Sequence, residues 1–552
     1  MLRMTALTSA DASDSVGPWR RFAHPVPFWL GTIACTAGVV LHLPMYYGAR
    51  SMGYHMAGMR PDAAMLTGMA LIVAGLPTAL YGLLPRASGQ IRRRAQRISV
   101  RALDDAPLRP RHVALLLIIS VAVIIDVMKP ATLSFVSPGM AAEYGLKSAT
   151  TPHGHVPVAW LPLAGIGGTV LGSLAWGWLG DRIGRRSSIL FAGLLFVTTS
   201  ICGAMPGFSW NLFMCFLMGL GVGGMLPIAF ALLAEIIPAR HRGWLLALIG
   251  GGVAGVGYVL TSWLSGALIP HYSWRIMWLI GLPTGLLLIA LNHWIPESPR
   301  YLLAAGRPDE AAEILRELGA AATSTDEDEP DARQAPDRGF RQVLVRPLRG
   351  PSLGLVILAI GAGLVTYGFQ LWIPTNLQHL GFTSVNSDYI VRNAAAIGLP
   401  ISLGVTLLYG YWSTRNTIIV LFGLLAAALA GFVIAGDSVA HNHALLTVLL
   451  VIPLSGTSLA TAVVTVYAAE VYSTGFRARG TGLMAGATKA GGLAIIALVI
   501  AATTTPSIAL TALAGMVPLL LGIVIFARFG IETRRRRLEE ISPVPAVPPA
   551  AA

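Results

Sequence analysis

Charged residues and cysteine are scarce in this sequence of 552 residues. Charged side chains make up 12% of the chain and apolar ones 55%, which is too apolar for a water-soluble protein and suits a bundle of membrane helices. The three cysteines, Cys35, Cys202 and Cys215, all fall inside apolar stretches. This placement offers neither a disulfide framework nor a metal-ligand spacing. We therefore expect a chain that lies mostly in the lipid bilayer, with no metal and no cofactor.

Acidic residues are outnumbered, since 26 Asp and Glu stand against 39 Lys and Arg, for a net charge of +13. Such an excess could indicate a nucleic-acid partner. The arginines, however, form short runs between apolar segments, and no basic face interleaved with aromatic residues is present. We expect no nucleic-acid binding, and membrane topology explains the charge better.

Signals for enzymatic chemistry are also missing. The sequence contains no nucleophile elbow, no phosphate-binding glycine loop and no paired catalytic carboxylates. The glycines of residues 219–224 lie in the middle of an apolar run, where small residues allow helices to pack closely. We therefore expect a protein that is not an enzyme and is not driven by ATP.

Long apolar runs are abundant, and a transmembrane helix needs about 20 such residues. The first run begins with Pro25 and Pro27, is long for a signal peptide and lacks a small-residue cleavage site, so we expect a retained span. Fourteen spans are predicted, at about 26–47, 63–84, 113–136, 158–179, 188–206, 209–233, 244–269, 275–295, 352–375, 389–412, 416–436, 444–468, 481–502 and 507–529.

The arginines predict the orientation of these spans. They concentrate in the connections after the second, fourth and sixth spans, whereas most opposite connections hold few cations. Because positively charged loops stay in the cytoplasm, these connections and both termini are expected to be cytoplasmic. The predicted location is the inner membrane, with multiple spans.

Polar breaks divide the chain into seven regions. The break at 296–351 begins with an amphipathic stretch, 308–318, and continues into an acidic segment unlikely to fold. The predicted regions are a cytoplasmic N-terminus (1–25), an extra transmembrane hairpin (26–84), a basic linker (85–112), a six-helix half (113–295), an interdomain loop (296–351), a second six-helix half (352–529) and a cytoplasmic tail (530–552).

An internal repeat relates the two halves. Gly177 precedes Glu235 by 58 positions (235 − 177), and Gly410 precedes Glu470 by 60 (470 − 410), each pair flanking two apolar spans. The predicted fold is an all-α polytopic membrane protein with two pseudo-symmetric six-helix halves, an N-terminal two-helix extension and a shared site between the halves.

The run from Gly177 to Arg186, GWLGDRIGRR, resembles the loop signature of the major facilitator superfamily. The runs at 235–243, EIIPARHRG, and 296–302, PESPRYL, resemble its sugar-porter and organic (aromatic) acid:proton symporter branches. The resemblance covers residues 113–530 and leaves out the first hundred. It implies a transporter that works by alternating access.

Two departures from this family pattern narrow the expectation. The equivalent loop of the second half carries Thr414 where the family has an acidic residue, so we expect an incomplete charge network there and gating by the first half. Gln370 and Gln378 are isolated, and the glutamine-rich pattern of hexose carriers is absent. This lowers the expectation of a sugar substrate.

The signature residues are candidates for a gate. Asp181, facing Arg185, Arg186 or Arg242, could hold the two halves together in one state by charge-assisted hydrogen bonds and release them in the other. The alternatives are arginines that only set topology, and surface ion pairs of little energetic value. The candidate gating residues are Gly177, Asp181, Arg182, Gly184, Arg185, Arg186, Glu235, Arg242, Glu470 and Arg477.

Charges within apolar spans are candidates for coupling and binding. Asp126 and Lys129 are three residues apart, hence on one helix face, and an intramembrane acid with a neighbouring base suits proton uptake and release. The alternative is a permanent structural ion pair between them. Lys489 occupies a slot that is basic in the organic-acid branch, so Lys489 and Arg392 are candidate ligands of a solute carboxylate, although Arg392 could instead snorkel to the outer surface.

Polar residues in the ninth span, Tyr367, Gln370 and Asn376, are further candidates for solute binding, with bonding between helices as the alternative. Because buried bases outnumber buried acids, we expect an anionic or zwitterionic solute. The predicted function is secondary active transport of a small organic solute, most consistent with a carboxylate, coupled to protons, by a monomer. A drug/proton antiporter, a sugar porter and a non-transporting receptor or scaffold are the alternatives.

Overall fold

The computed structural model describes residues 24–84, 106–305, 307–320, 348–472, 477–501 and 507–534. Within them, fourteen helices are long and apolar enough to cross a membrane, which confirms the predicted number. These spans are α1 (Pro25–Met52), α2 (Ala63–Leu83), α3 (Pro110–Tyr144), α4 (Trp160–Gly180), α5 (Arg185–Ala204), α6 (Phe208–Ile236), α7 (Arg240–Tyr272), α8 (Ile276–Trp294), α11 (Arg349–His379), α12 (Ser384–Tyr411), α13 (Thr414–His441), α14 (His443–Val471), α15 (Gly480–Ala501) and α16 (Ile508–Phe529). Two short helices, α9 (Pro299–Ala304) and α10 (Pro308–Leu318), lie between α8 and α11.

Six of these spans, α3–α8, form one half, and six, α11–α16, form the other. The same pairs of helices are in contact in both halves: α4 with α6 matches α12 with α14, α5 with α8 matches α13 with α16, and α3 with α7 matches α11 with α15. The repeat predicted from the sequence is therefore a repeat of packing, and the predicted fold class is confirmed.

Glycine allows the first half to pack closely. The backbone of Gly219 on α6 lies against the Gly165 carbonyl on α4, and Gly224 lies against the indole of Trp176, so neither position has room for a Cβ atom. The packing role predicted for the glycines of residues 219–224 is thus what the structure shows at these two positions.

Four pairs of helices join the two halves: α3 with α11, α4 with α15, α7 with α12, and α7 with α14. We call the end of the bundle that carries residues 177–186 the signature side, and the opposite end the far side. Any site shared by the halves must be lined by these helices.

The N-terminal hairpin, α1 and α2, is attached to the first half. Its two helices pack together through glycines such as Gly38 and Gly68, and both contact α5. As a result α5 is almost completely buried, whereas its counterpart in the second half, α13, keeps an exposed face. The hairpin therefore covers the surface of α5 that would otherwise face lipid.

The predicted amphipathic stretch forms α10. Ala311, Leu315 and Leu318 are buried on one face of this helix, and Arg111 at the start of α3 forms an ion pair with Glu317. This helix is docked on the signature side of the first half. The N-terminus up to residue 23, most of the basic linker, the acidic part of the interdomain loop and the tail beyond residue 534 lie outside the described residues.

Candidate functional site

Asp126 is a buried carboxylate in the middle of α3. Its side chain is 3% exposed, and its Oδ1 atom has no hydrogen-bond partner among the described residues. Lys489 on α15 and Lys129 on α3 are its cationic neighbours, and Tyr367 on α11 lies within electrostatic range. The structure therefore brings together Asp126, Lys489 and Tyr367, three predicted site residues that come from both halves.

Lys129 turns away from this meeting point. Its Nζ atom lies 5.5 Å from the ring centroid of Phe196 on α5 and fills the space beside Gly281 on α8. Among the described residues, no ion pair within 4 Å joins Lys129 to Asp126. The alternative of a permanent Asp126–Lys129 ion pair is therefore wrong for this conformation, because the two side chains leave α3 in different directions.

Lys489 joins the two halves. Its Nζ atom donates hydrogen bonds to the Thr169 carbonyl oxygen, at 3.2 Å, and to the Ser173 hydroxyl, both on α4. In this conformation the lysine thus has neutral partners in the first half and a carboxylate nearby, an arrangement in which an anion could displace the neutral partners.

The polar candidates of α11 lie where this helix is irregular. Tyr367 falls in a π-helical turn, Val365–Phe369, which a short 3₁₀ segment follows. Gln370 accepts a hydrogen bond from Thr457, at 2.8 Å, and donates to a carbonyl on α14. The Nδ2 atom of buried Asn376 has no partner among the described residues. Gln370 is thus committed to helix packing, whereas Asn376 retains free donor capacity.

Arg392 lies elsewhere. Its guanidinium group is 4.5 Å from the ring centroid of Tyr389 and donates hydrogen bonds to the side chain of Asn393, at an exposed position. All three residues belong to α12. None of these contacts links Arg392 to Lys489 or Asp126, so the structure does not join the two predicted cationic ligands in one site.

Asp388 is a buried carboxylate that sequence reasoning missed. Its side chain is 2% exposed and accepts a hydrogen bond from the Ser265 hydroxyl at 2.6 Å. The predicted span began at residue 389, which placed this aspartate in a loop, whereas α12 begins at Ser384. With Asp388 included, buried acids no longer lag behind buried lysines within the spans. The expectation that buried bases outnumber buried acids was therefore wrong.

The signature residues of the first half form a compact network. Arg185 lies 3.6 Å from Glu235, and Ser298 donates a hydrogen bond to the same glutamate. Glu297 accepts hydrogen bonds from the backbone N–H groups of Arg185 and Arg186, at 2.8 and 3.2 Å. Burial, opposed by these backbone donors, raises the pKa of Glu297 above its usual range.

Gly184 makes this approach possible. Its φ angle is +93°, and a Cβ atom there would collide with the Glu297 carboxylate. A residue with a side chain would be strained at this φ and would also block the contact. The glycine predicted for a tight turn is therefore required on both grounds.

The second half has an equivalent network without an acidic residue in its loop. Glu532 accepts hydrogen bonds from the N–H and the hydroxyl group of Thr414, at 3.1 and 2.7 Å, and Thr533 donates to Glu470 at 2.7 Å. The expectation of an incomplete network was therefore wrong, because Glu532 and Thr533, from the segment after α16, take the places that Glu297 and Ser298 have in the first half.

The remaining candidate gating residues have local contacts. Arg182 lies 4.0 Å from the ring centroid of Trp178, and Arg242 donates to the Ile237 carbonyl oxygen at 3.1 Å. A Cβ atom at Gly177 would meet open space. The side chains of Asp181 and Arg477 lie outside the described residues. The contacts described for the predicted latch each stay within one half, so here they brace the halves separately.

Two six-helix halves with matching helix contacts, and buried charges between them, define a polytopic membrane protein of two-fold pseudo-symmetric design. The chain belongs to the Major Facilitator Superfamily, whose family model matches residues 113–497. The matched segment begins at α3 and leaves out the N-terminal hairpin, as the sequence resemblance also did.

The similar proteins are transporters of aromatic acids. The chain is 29% identical over 298 residues to the niacin transporter NiaP of Acinetobacter baylyi, a match that covers 53% of this chain and 66% of that protein. It is 29% identical over 408 residues to the 4-hydroxybenzoate transporter PcaK of Pseudomonas aeruginosa, with 71% and 86% covered. The chain thus spans just under two thirds of the niacin transporter's length.

The fold resembles that of a solved sugar transporter. The partially occluded inward-open xylose transporter XylE from E. coli superimposes with a TM-score of 0.63 at 16% identity, covering 78% of this chain and all of that one. At this identity the likeness concerns the fold alone. The family and these relatives are transporters and not enzymes.

Proposed function

We propose that this protein is a secondary active transporter that moves a small organic carboxylate by alternating access and couples it to protons. The observation that carries the proposal is the meeting of Asp126 and Lys489 between the two halves, one charge from each half. Buried charges are costly in a membrane, and they are retained where they bind ions or solutes.

Two lines of support favour an aromatic carboxylate as the solute. The relatives are named for niacin and 4-hydroxybenzoate, and both compounds carry a carboxylate on an aromatic ring. Lys489 is a cation at the boundary between the halves whose hydrogen-bond partners, Thr169 and Ser173, are neutral. A solute carboxylate would give this lysine a charged partner, and charge-assisted hydrogen bonds are about twice as strong as neutral ones.

Proton coupling is assigned to Asp126. Its free Oδ1 atom and the nearby Lys489 give it two ways to compensate its charge, a proton or a lysine. When a solute carboxylate engages Lys489, the lysine becomes less available to Asp126, and proton uptake by the aspartate becomes the alternative. Solute binding and protonation would then favour each other, as symport requires.

The experiment is uptake of radiolabelled niacin and 4-hydroxybenzoate into proteoliposomes under an imposed inward proton gradient. Asp126→Asn should lose accumulation against a gradient but keep exchange of solute across the membrane, because exchange needs no net proton movement. Asp309→Asn, on the exposed face of α10, is the matched control and should behave as the wild type. Full accumulation by Asp126→Asn would contradict the assignment of coupling, and accumulation of xylose alone would contradict the solute class.

We also propose that the signature side faces the cytoplasm of a cell bounded by an inner membrane, and that the monomer is the working unit. Arg182, Arg185 and Arg186 lie at this side, and cationic loops are retained in the cytoplasm. A cysteine introduced at His155, in the far-side connection between α3 and α4, should react with a membrane-impermeant maleimide in whole cells. A cysteine at Arg300 should not, and the reverse pattern would invert the assignment.

A further inference from the structure

A buried polar contact joins the halves on the side opposite to Lys489. On α12, the Asp388 carboxylate accepts a hydrogen bond from Ser265 at 2.6 Å, and its backbone carbonyl accepts one from Ser262 at 2.5 Å. Both serines belong to α7 and are fully buried. We call Ser262, Ser265 and Asp388 the α7–α12 contact.

Close packing accompanies these hydrogen bonds. Gly266, next to Ser265, lies against the ring of Tyr389, and a Cβ atom at the glycine would be 2.6 Å from the ring. Ser262, Ser265 and Gly266 are three and four residues apart, so they line one face of α7. Small residues on one face let two membrane helices approach closely enough for side-chain-to-backbone hydrogen bonds.

The contact lies toward the far side. Asp388 is four residues after the start of α12 at Ser384, about 6 Å along the helix, and Ser265 is seven residues before the end of α7 at Tyr272, about 10 Å. Both of these helix ends are on the far side, since α7 starts from the connection that follows α6 on the signature side. Opening the far side separates these helix ends and exposes the contact.

Asp388 has no cation to neutralise it in this conformation. No ion pair of Asp388 is present among the described residues, and Arg392, one turn further along the same helix, is occupied by Tyr389 and Asn393. A carboxylate held in an apolar interface by hydroxyl groups is costly to leave without them. The energetic value of the contact therefore depends on the presence of the serine hydroxyls.

The two contacts between halves that involve a buried charge are related by the internal repeat. Lys489 binds the second helix of the first half from the fifth helix of the second half, and Asp388 binds the fifth helix of the first half from the second helix of the second half. In each case the second half supplies the charge and the first half supplies hydroxyl groups. A basic contact and an acidic contact thus lie at opposite edges of the space between the halves.

We infer that the α7–α12 contact is a latch that holds the far side closed, with Asp388 as its positioning residue. The inference rests on the alternating access of the proposed function, and it is separate from the solute and from the coupling residue. Loss of the Ser265–Asp388 hydrogen bond should favour conformations in which the far side is open. The Asp388→Asn variant keeps a carbonyl oxygen that can accept from Ser265, so it should keep the latch.

The test is a distance measurement by double electron–electron resonance with spin labels on cysteines introduced at His271 and Asn386, which are exposed at the far-side ends of α7 and α12. The native cysteines, Cys35, Cys202 and Cys215, are buried and leave labelling to the introduced sites. No solute is needed, so this result is independent of the transport assay.

Asp388→Ala and Ser265→Ala should each raise the ratio of the longer-distance population to the shorter one by roughly fivefold, as loss of one hydrogen bond predicts. Their double variant should open no further than Asp388→Ala, because both remove one contact. Thr261→Ala is the matched control, since this buried hydroxyl on α7 bonds only to Gly257 of its own helix. Distances unchanged in both single variants, an equal change in Thr261→Ala, or opening by Asp388→Asn as large as by Asp388→Ala would overturn the inference.

Discussion

Glu143 and Arg275 form an ion pair that is sealed from solvent on the far side of the first half. Arg275 Nη2 lies 2.6 Å from Glu143 Oε1, and the two side chains are 0% and 3% exposed. Arg275 also donates to the carbonyl oxygens of Gly203 and Met205, while Glu143 accepts from the backbone N–H of Met56 in the N-terminal hairpin. One ion pair thus ties α3, α5, the start of α8 and the hairpin together.

Removing one partner of this pair should be severe. Arg275→Ala leaves the Glu143 carboxylate buried without its cation, so we expect the free energy of unfolding to fall by about 3–5 kcal/mol. Denaturation of the purified protein in detergent measures the change. Arg307→Ala is the control, because its ion pair with Glu310 is 39% and 46% exposed and should contribute less than about 1 kcal/mol. Equal losses in the two variants would mean that burial does not decide the value of the Glu143–Arg275 pair.

The N-terminal hairpin offers a second test of attachment. The hydroxyl of buried Tyr46 on α1 donates to the Tyr272 carbonyl oxygen, at the end of α7, at 2.7 Å. Tyr46→Phe removes this single hydrogen bond and should lower the free energy of unfolding by about 1 kcal/mol. The neighbouring Tyr47 is 60% exposed, so Tyr47→Phe in the same denaturation assay should have no measurable effect. A loss in Tyr47→Phe that matches Tyr46→Phe would show that the hairpin is not held by this contact.

The fold was predictable because membrane helices announce themselves by length and apolar composition. The residues around Asp126 show the limit of such reasoning. The spacing of Asp126 and Lys129 predicted a shared face, yet the direction of each side chain depends on space left by Phe196 and Gly281 on other helices. The proximity of Asp126 to Lys489 joins residues more than 350 positions apart, and no local pattern encodes it.

The missed residues have physical reasons of their own. Asp388 was hidden because a charge near the end of an apolar run reads as the end of the span, whereas the serines of α7 allow the helix to begin earlier. Glu532 and Thr533 replace an acidic loop by hydroxyl donors, a substitution that a motif search does not detect. Hydrogen-bonding capacity, rather than residue identity, is what the two halves share here.

The equivalent glutamates Glu297 and Glu532, both outside the spans, should respond to pH with opposite signs. Burial opposes ionisation in both, and it prevails at Glu297, whose pKa is raised. At Glu532 the hydroxyls of Ser413 and Thr414, with backbone N–H donors, outweigh burial and lower the pKa to about 2. A raised pKa stabilises the folded state below the unfolded value of about 4.3, and this contribution is lost as pH rises. A lowered pKa stabilises it above about 4.3, and this contribution is lost as pH falls toward 2.

Melting temperatures of the wild type, Glu297→Gln and Glu532→Gln between about pH 4 and 8 test this pair. The wild type should lose stability relative to Glu297→Gln as pH rises, and relative to Glu532→Gln as pH falls. The two difference curves should therefore slope in opposite directions. Parallel curves would mean that the two networks do not differ in how they hold their carboxylates.

Lys489 and Arg392 were predicted together as ligands of a solute carboxylate, and their different surroundings in the structure predict different outcomes on substitution. Lys489 lies at the boundary of the halves with neutral partners, whereas Arg392 is occupied on the exposed side of α12. Lys489→Ala should raise the KM for 4-hydroxybenzoate by about tenfold or more, as loss of a charge-assisted hydrogen bond predicts. Lys489→Arg should recover part of this loss, and Arg392→Ala should leave the KM unchanged. Initial rates of uptake into proteoliposomes measure all three, and an unchanged KM in Lys489→Ala would remove this lysine from the solute site.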